Sequence, residues 1–400
     1  MDLIFVTNAR FSKTSDGKIY GHFTSLTSGS FKHYLKVFDK IRVIARIEES
    51  QSNTFGNTEP INNKNVEILG VPYFLGPYQF LTQKRKIKKK LKDYLNKDAA
   101  VICRIPGALG HMAANILSKE KRLYAVEVAG DPIDVFAPGT FKHPFRFFFK
   151  YYGYFRLKKG VQNAIAALYV TERALQKRYP VKKGVYSTNA SNVIIDQDFI
   201  VPKAKKLTTK NNYSIISVGT LDQMYKGPDV LLKAIKILIT RGYNVNLIWL
   251  GDGKYKKDME YLAKKLMIDK HVKFAGIIKP AAKVINYLDN SDLFVLPSRT
   301  EGLPRALIEA MARGLPCIST NIGGIPELLS ENSLVPINDS KVLARRIEIF
   351  LKDLPMTNQL AEENLEKVKN YSYDILNKRR RLFYQYIKNN TKQFNTIQNK

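Results

Sequence analysis

Residues 294–329 read FVLPSRTEGLPRALIEAMARGLPCISTNIGGIPELL, and they predict a strand, a loop and a helix in succession. The apolar run Leu293–Leu296 is typical of a buried strand. The helix is predicted to begin near Pro304, because the first turn of a helix does not need the N–H that proline lacks. The helix is predicted to bury one stripe at positions i, i+3, i+4 and i+7, formed by Leu307, Ala310, Met311 and Gly314. Gly314 also lies where a helix is expected to end.

Two carboxylates lie on either side of this predicted helix start. Glu301 lies in the loop before the helix, and Glu309 lies one to two turns into it. The free N–H groups and the positive dipole end of a helix N-terminus attract phosphate. Carboxylates on both sides of that position suit hydroxyl-bearing groups. The arrangement therefore suits a ligand with hydroxyls on both sides of a phosphate. A sugar nucleotide, built from a sugar, a diphosphate and a ribose, is such a ligand.

The stretch resembles the signature of retaining glycosyltransferases of the GT-B fold, called glycosyltransferase family 4 or glycosyl transferases group 1. The family pattern E-G-x-x-x-x-x-x-E, A-x-A-x-G-x-P and G-G-x-x-E corresponds here to EGLPRALIE, AMARGLP and GGIPE. In that family the first Glu contacts the donor sugar and the second holds the ribose hydroxyls. The resemblance assigns these roles to Glu301 and Glu309. It also implies that the donor contacts the loop and helix start formed by Gly302, Leu303, Pro304 and Arg305.

A second motif, ISVGTLDQMYKGPDVLLKAIKIL at residues 216–238, predicts a strand, a tight turn and a helix. It resembles the family segment V-G-R-L-x-x-x-K-G, in which an Arg and a Lys clamp the diphosphate. Gly219 allows close backbone approach and Lys226 matches the Lys, but Thr220 stands at the Arg position. A hydroxyl carries no charge and cannot hold two phosphate oxygens at once. Diphosphate binding is therefore expected to depend on Lys226 and the helix start, with Arg305 as a candidate for the missing charge.

The remaining candidate residues are carried by weaker patterns. VKFAGII at 272–278 resembles the family segment that lines the nucleotide base, which assigns Ile277 to the donor site. The family often has a histidine after its fourth strand, but YAVEVAGDPID at 124–134 has none and offers Glu127 and Asp131 instead. We favour Asp131 as a catalytic residue because it follows Gly130 at a predicted strand end; the alternative is that it caps a turn. His22 is either a contact for acceptor or phosphate, or an exposed loop residue.

Strand-like and helix-like segments alternate along the whole chain, which predicts α/β layers around parallel sheets. Separate apolar runs along the chain are predicted strands, the first at Leu3–Val6 and the last at Cys317–Ser319. The polar segment 183–202 is predicted to be the crossing between domains. The resemblance implies an α/β protein of GT-B fold with two Rossmann-like domains facing a central cleft, and ligands in such sheets bind beyond the carboxyl ends of the strands. The predicted parts are an acceptor-binding domain at 1–200, a nucleotide-sugar-binding domain at 201–370, a helix at 371–388 that crosses back onto the first domain, and a polar tail at 389–400.

The charge of the chain is extreme. Lys and Arg number 65 against 35 Asp and Glu, a formal net charge of +30, which indicates an anionic partner such as acidic lipid, nucleic acid or a phosphorylated substrate. The two cysteines, Cys103 and Cys317, lie in apolar runs and are expected to be reduced core residues. The chain begins with a strand pattern rather than a signal peptide. It contains no run of roughly 18 apolar residues that could span a membrane.

Two segments of the predicted first domain favour a membrane surface as that partner. QKRKIKKKLK at 83–92 is a dense basic run, and FKHPFRFFFKYYGYFRLKKG at 141–160 interleaves aromatic with basic residues. Such segments bind anionic lipid through basic residues and the headgroup region through aromatic rings. The alternative is a solvated basic helix and a buried aromatic helix. No zinc finger or RNP-type motif supports nucleic acid as the partner. We therefore expect a peripheral protein on the cytoplasmic face of the inner membrane.

These observations predict a retaining glycosyltransferase that uses a nucleoside-diphosphate sugar and needs no metal or other cofactor. Lys226, Glu301 and Asp131 are the predicted catalytic residues. The expected acceptor is a lipid-linked saccharide in the synthesis of capsule, O-antigen or a similar polymer. Asp196-x-Asp198 looks like the metal motif of the GT-A fold, but its position at the domain crossing argues against that role. A sugar-nucleotide epimerase and a binding protein without catalytic activity stay open as alternatives.

Overall fold

The computed structural model of the chain describes residues 1–21, 28–50, 59–95, 98–135, 146–193, 195, 197–279 and 281–398. The chain divides into two compact units. The first unit comprises Met1–Pro132, Tyr151–Ala190 and Asn377–Lys400, and the second comprises Ile133–Lys150 and Ser191–Leu376. The chain enters the second unit at Ile133 and again at Ser191, and Ser191 lies within the segment whose polar, turn-rich sequence predicts a domain crossing.

The first unit is built on a sheet of eight strands. They are β1 Leu3–Thr14, β2 Ile19–Gly21, β3 Ile41–Ser50, β4 Val66–Pro72, β5 Ala100–Ile105, β6 Ala125–Val128, β7 Ala166–Tyr169 and β8 Tyr186–Asn189. The order is β4-β3-β1-β5-β6-β7-β8, in which all neighbours are parallel, and β2 pairs antiparallel with β1. The central strands follow the order of a Rossmann-like sheet: β3 and β4 lie on one side of β1, and β5 and the strands after it lie on the other.

The larger helices of this part of the chain cover one face of that sheet. The helices are α1 Lys32–Leu35, α2 Gly76–Tyr94, α3 Ala108–Lys119, α4 Pro132–Val135, α5 Arg146–Gln162 and α6 Ala174–Arg178. The helices α2, α3 and α5 each connect strands in the same direction across the sheet, so right-handed crossovers place them on the same face. Their buried side chains, among them Leu91, Leu109 and Leu157, pack in one core with Val101 and Val126 of the strands.

The second unit has six parallel strands in Rossmann order. They are β9 Tyr213–Val218, β10 Val245–Leu250, β11 Val272–Gly276, β12 Leu293–Leu296, β13 Cys317–Thr320 and β14 Leu334–Val335. In the order β11-β10-β9-β12-β13-β14, the chain adds β10 and β11 on one side of β9 and then β12, β13 and β14 on the other. The place between β9 and β12 is the switch point beside which ligands of such sheets bind.

Of the remaining helices, all but the last pack on the two faces of the second sheet, and the last belongs to the first unit from Asn377 onward. They are α7 Pro228–Thr240, α8 Lys256–Lys265, α9 Ala281–Asp289, α10 Arg305–Ala312, α11 Ile325–Leu328, α12 Ser340–Lys352, α13 Leu354–Val368 and α14 Tyr373–Gln398. Because alternate residues of a strand point to opposite faces, Val295 packs in one core with Leu231 of α7, and Phe294 packs in the other with Leu307 of α10. The predicted stripe of α10 is confirmed, since Leu307, Ala310 and Met311 are all buried.

The strands predicted from apolar runs are all present in the structure. Strands β2, β8 and β14 are not predicted from the sequence. Strand β8 lies at the edge of its sheet, is mostly polar and is only partly buried, and β14 has just two residues. Short or polar edge strands have little of the apolar patterning that sequence reasoning uses.

The last helix is longer than its sequence predicts. It begins at Tyr373 and continues to Gln398, so the predicted polar tail after Lys388 is wrong as far as Gln398. The extra turns still pack, since Thr391 is buried. From Asn377 onward the helix belongs to the first unit, where Tyr384 Oη donates to Glu127 Oε1 at 3.2 Å and Lys388 Nζ donates to the Val37 carbonyl at 2.6 Å.

Both cysteines are buried and free. Cys103 lies in β5 and Cys317 begins β13, as their apolar surroundings predict, and burial raises the pKa of both thiols. Among the helices of the described residues, none is long and apolar enough to cross a membrane.

Candidate functional site

The loops that follow β9 and β12 meet at the switch point of the second sheet. Lys226 follows β9 and Glu301 follows β12, and Lys226 Nζ lies 2.6 Å from Glu301 Oε1. Ser298 Oγ donates to the same carboxylate oxygen at 2.7 Å. Only 12% of the lysine side chain and 9% of the glutamate side chain are exposed. The structure therefore brings two of the predicted catalytic residues together as a largely desolvated, charge-assisted pair.

The turn that carries Lys226 packs closely against the loop after β12. A short 3₁₀ turn, Met224–Lys226, ends at Gly227, whose φ is 69°. A Cβ at Gly227 would lie 2.1 Å from the Pro297 carbonyl oxygen, so only glycine allows this approach. The Lys226 ammonium lies 5.1 Å from the centre of the Tyr225 ring, and burial raises the pKa of that phenol.

Arg299 connects the same two loops, and it is not among the residues predicted from the sequence. Its Nη2 lies 2.8 Å from Asp229 Oδ2, its Nε donates to Asn338 Oδ1 at 2.6 Å, and its Nη1 donates to the Met224 carbonyl. The signal that could have found it is the polar run Ser298–Thr300 between the end of a buried strand and Glu301. Such positions line ligand sites in parallel sheets.

The Gly-Gly pair of the signature supports the backbone of Glu301. Gly323 has a φ of +57°, and a Cβ there would lie 1.8 Å from the Glu301 carbonyl oxygen. Gly324 N donates to the Gly302 carbonyl at 2.7 Å. The segment after β13 therefore holds the loop that carries Glu301, which explains the glycines physically.

Helix α10 begins one residue after Pro304, and no side chain caps its N-terminus. Arg305, in the first turn, is mostly exposed and its Nε lies 2.7 Å from Oε1 of Glu309, an i,i+4 pair. Arg305, the candidate for the missing phosphate-binding charge, is thus paired with Glu309, the residue predicted to hold the ribose. Gly302 is exposed, and Leu303 packs against the core beneath the loop.

The other predicted donor-binding residues lie in the same unit. Gly219 N donates to the Leu250 carbonyl, and the Gly219 carbonyl accepts a bond of 2.9 Å from the buried Trp249 indole. The Thr220 hydroxyl donates to Asp222 Oδ2 at 3.0 Å, within its own turn. Ile277 follows β11 and is 69% exposed. Their contacts with donor stay predictions.

In the first unit, both acidic candidates are buried and bonded to neighbouring side chains. Asp131 accepts a hydrogen bond of 2.6 Å from Tyr179 Oη and forms an ion pair with Arg178. Glu127 accepts from Tyr34 Oη at 2.7 Å, in addition to its bond with the last helix. These contacts give both carboxylates a place in the packing of the first unit. The catalytic role of Asp131 stays a prediction, and His22 lies outside the described residues.

The residues that the structure describes include no group of three or more His, Cys, Asp or Glu side chains placed to hold a metal ion. Asp198 lies in the short turn Gln197–Phe199. Its predicted partner in the Asp-x-Asp motif, Asp196, lies outside the described residues.

The two segments predicted to face a membrane lie on helices with exposed faces. In α2, Ile87 and Leu91 are buried while most of the lysines around them are exposed. In α5, Leu157 and Val161 are buried, and five aromatic side chains are at least half exposed: Phe147, Phe148, Tyr151, Tyr152 and Phe155. The alternative of a buried aromatic helix is therefore wrong for residues 146–160, and residues 141–145 lie outside the described part of the chain.

Known proteins resemble this chain both over the residues that contain the site and over nearly its whole length. The profile of the family described as glycosyl transferases group 1 matches residues 200–367. The chain is 31% identical over 381 residues to protein CapJ of Staphylococcus aureus, covering 94% of this chain and 93% of CapJ. It is 37% identical over 139 residues to the amylovoran biosynthesis glycosyltransferase AmsK of Erwinia amylovora, covering 32% of this chain and 34% of AmsK.

Among solved structures, HepE of Anabaena in complex with UDP-glucose is similar with a TM-score of 0.60 and 15% identity, over 95% of this chain and 98% of HepE. The likeness extends over the whole chain and shows a shared fold. The predicted GT-B fold with two Rossmann-like domains is confirmed.

Proposed function

The chain belongs to the group 1 glycosyltransferases, and from this premise we propose that it transfers a hexose-type sugar from a nucleoside-diphosphate sugar to a saccharide acceptor, with retention of configuration. The observation that carries the proposal is the contact between Lys226 and Glu301 at the switch point, inside the two matching motifs. The name of AmsK connects that relative with the synthesis of a polysaccharide, and we extend this role to the present chain.

Each residue of the site has a chemical task in this proposal. The Lys226 ammonium and the N-terminal N–H groups of α10 stabilise the negative charge that develops on the leaving diphosphate. Preorganised positive groups at a leaving oxygen are usually the largest catalytic contribution. Glu301 orients the donor sugar and so aligns the reacting carbon. Glu309 holds the ribose hydroxyls and contributes to binding of the donor.

Retention follows from displacement on the front face of the sugar. The acceptor hydroxyl attacks the anomeric carbon from the side on which the diphosphate leaves, and the leaving phosphate oxygen takes the proton of that hydroxyl. Because Lys226 and the helix end supply the positive charge in this scheme, the proposed reaction needs no metal ion. We retain Asp131 as a predicted contributor from the first unit.

We further propose that the acceptor saccharide is linked to a lipid and that the protein binds the anionic cytoplasmic surface of the inner membrane. The support is the exposed basic face of α2, the exposed aromatic side chains of α5 and the net charge of +30. Each basic residue near an anionic surface contributes about 1 kcal/mol. Exposed aromatic rings add binding at the headgroup level.

A donor screen tests the proposal. Titration calorimetry with UDP, GDP, ADP and their sugars, with and without EDTA, starts with UDP because HepE was solved with UDP-glucose. We expect saturable binding of one nucleotide that EDTA leaves unchanged. When a saccharide acceptor is added, we expect a product whose anomeric configuration, read by NMR, equals that of the donor. Binding that EDTA abolishes would contradict metal independence. An inverted product would contradict retention, and an epimerised donor formed without acceptor would favour the epimerase.

A further inference from the structure

We infer that Arg299 is a positioning residue for sugar transfer: it lies in the loop that carries Glu301 and bonds to the turn that carries Lys226, and it thereby sets the separation between these two residues. The inference rests on the proposed function of this site, because it concerns how the reacting groups are held. Arg299 itself is not assigned a contact with donor.

The guanidinium of Arg299 reaches two parts of the chain that are far apart in sequence, the stretch from Met224 to Asp229 and the later residue Asn338. Nη1 bonds to the Met224 carbonyl in the turn before Lys226, Nη2 to Asp229 in the first turn of α7, and Nε to Asn338 after β14. The Arg299 main-chain N donates to the Tyr225 carbonyl at 2.6 Å. Only 11% of the side chain is exposed, so water competes little for these bonds.

The position of Arg299 in sequence makes this network specific to the site. It lies two residues before Glu301, and its acceptors on Met224 and Tyr225 lie directly before Lys226. A displacement of the guanidinium would therefore change the relative position of the two charged groups. A shift of about 1 Å in a positioned group can cost roughly a hundredfold in rate.

Lysine cannot replace this arginine. The guanidinium presents five donors in a rigid plane, whereas an ammonium is a single flexible point of charge. A lysine could keep the ion pair with Asp229, but not the simultaneous bonds to Met224 and Asn338. Asn338 itself has a positive φ of 60°, a conformation that asparagine adopts more readily than most residues. Its side-chain oxygen accepts the bond from Nε.

The chain offers a matched control in Arg313, at the carboxyl end of α10. Its Nε and Nη2 bond to Asp289 at 2.7 and 2.8 Å, and its Nη1 donates to the Phe199 carbonyl at 2.8 Å. It is 15% exposed. Arg299→Lys and Arg313→Lys thus remove comparable bonds from comparably buried arginines in one unit. Of the two, it is Arg299 that lies in the loop of Glu301 and bonds to the turn of Lys226.

The experiment measures steady-state kinetics, thermal unfolding and backbone amide exchange for both lysine variants. We expect Arg299→Lys to lower kcat/KM roughly tenfold to a hundredfold with a change in Tm no larger than that of Arg313→Lys, and to speed amide exchange in residues 219–227. Equal kinetics and equal exchange in the two variants would overturn the inference. Asn338→Gly is the second variant if Arg299→Lys fails to fold, because glycine accepts the positive φ while removing one acceptor. If amide exchange at residues 219–227 in Asn338→Gly equals that of the unaltered chain, the inference is overturned.

The two proposals fail in different ways. If the unaltered chain binds no nucleotide and transfers no sugar, the proposed function is wrong. Amide exchange at 219–227 in Arg299→Lys still decides whether the arginine orders this turn. If the unaltered chain is active and the two variants match, only the positioning role is wrong.

Discussion

Lys226 Nζ and Glu301 Oε1 lie 2.6 Å apart, although 75 positions of sequence separate the two residues. Each side chain is at least 88% withdrawn from solvent (12% and 9% exposed), so each charge depends on the other in the absence of ligand. Removing one member of such a pair leaves a charge with poor solvation. The diphosphate of a donor would be an alternative partner for the lysine.

Lys226→Ala should lower kcat/KM by about 10² to 10³, the usual effect of removing a group that stabilises developing negative charge. Glu301→Gln should also lower kcat/KM, and the double variant should lose less than the sum of the two in free energy, because the residues act as one unit. The check is a double-mutant cycle from steady-state kinetics. Strict additivity would show that the contact between Lys226 and Glu301 has no part in the reaction.

Glu309→Ala should raise the KM for the donor roughly tenfold with little change in kcat, because the lost ribose contact acts equally in the ground and transition states. The measurement is initial rate against donor concentration. Glu362→Ala is the control, since Glu362 is an exposed glutamate on a helix of the same unit and should leave KM unchanged. An unaltered KM in Glu309→Ala would remove the residue from the donor site.

Gly323→Ala should destabilise the protein and weaken donor binding together. The positive φ alone costs alanine about 1 to 2 kcal/mol, and the new Cβ would collide with the Glu301 carbonyl 1.8 Å away. Gly242→Ala is the control, because Gly242 has a φ of +86° with no atom near its Cβ position. Calorimetric donor affinity should fall in the first variant only, and equal affinity in both would argue against support of Glu301 by this segment.

Tyr151→Ser combined with Phe155→Ser should reduce binding to vesicles of phosphatidylglycerol severalfold, because it removes two aromatic side chains that are 54% and 65% exposed. Flotation of the protein with vesicles measures the effect. Tyr261→Ser, at a 70% exposed tyrosine of α8 in the other unit, should float like the unaltered chain. Vesicles of phosphatidylcholine should bind all three proteins weakly, since they lack the charge that attracts the lysines of α2.

Acidification should destabilise the first unit through His111. Burial lowers the pKa of this histidine to about 3, below the value of about 6.5 for an unfolded chain. The unfolded state therefore binds more protons between these two values, and stability falls as the pH falls through that window. We expect His111 to contribute a loss of about 1 kcal/mol between pH 6.5 and pH 5.5. Burial also lowers the pKa of His33 to about 3, which adds to the loss in the same window, so His111→Gln should reduce the total loss by the contribution of His111 alone. Denaturant titrations at both pH values measure it, and an equal loss in the variant would contradict the assignment.

Local patterning in the sequence was sufficient to predict the layered fold. The apolar run of β12, the stripe of α10 and the punctuating glycines each depend on residues within a few positions of one another, and secondary structure follows from such spacing. The position of Glu301 before the helix and of Glu309 on it could be predicted for the same reason. So could the place of Lys226 between a strand and a helix.

The partners of these side chains were decided only by tertiary structure. Nothing near Lys226 in the sequence indicates that Glu301 is its counter-ion, that Arg299 bonds to the turn before it, or that Asp131 is paired with Arg178. A hydrogen bond or ion pair between distant segments depends on where packing places each loop to within an ångström, because these contacts form only over a narrow range of distance and angle. The residue types and their local order are written in the sequence, whereas the geometry that makes them one site arises from the packing of the two loops on a common sheet.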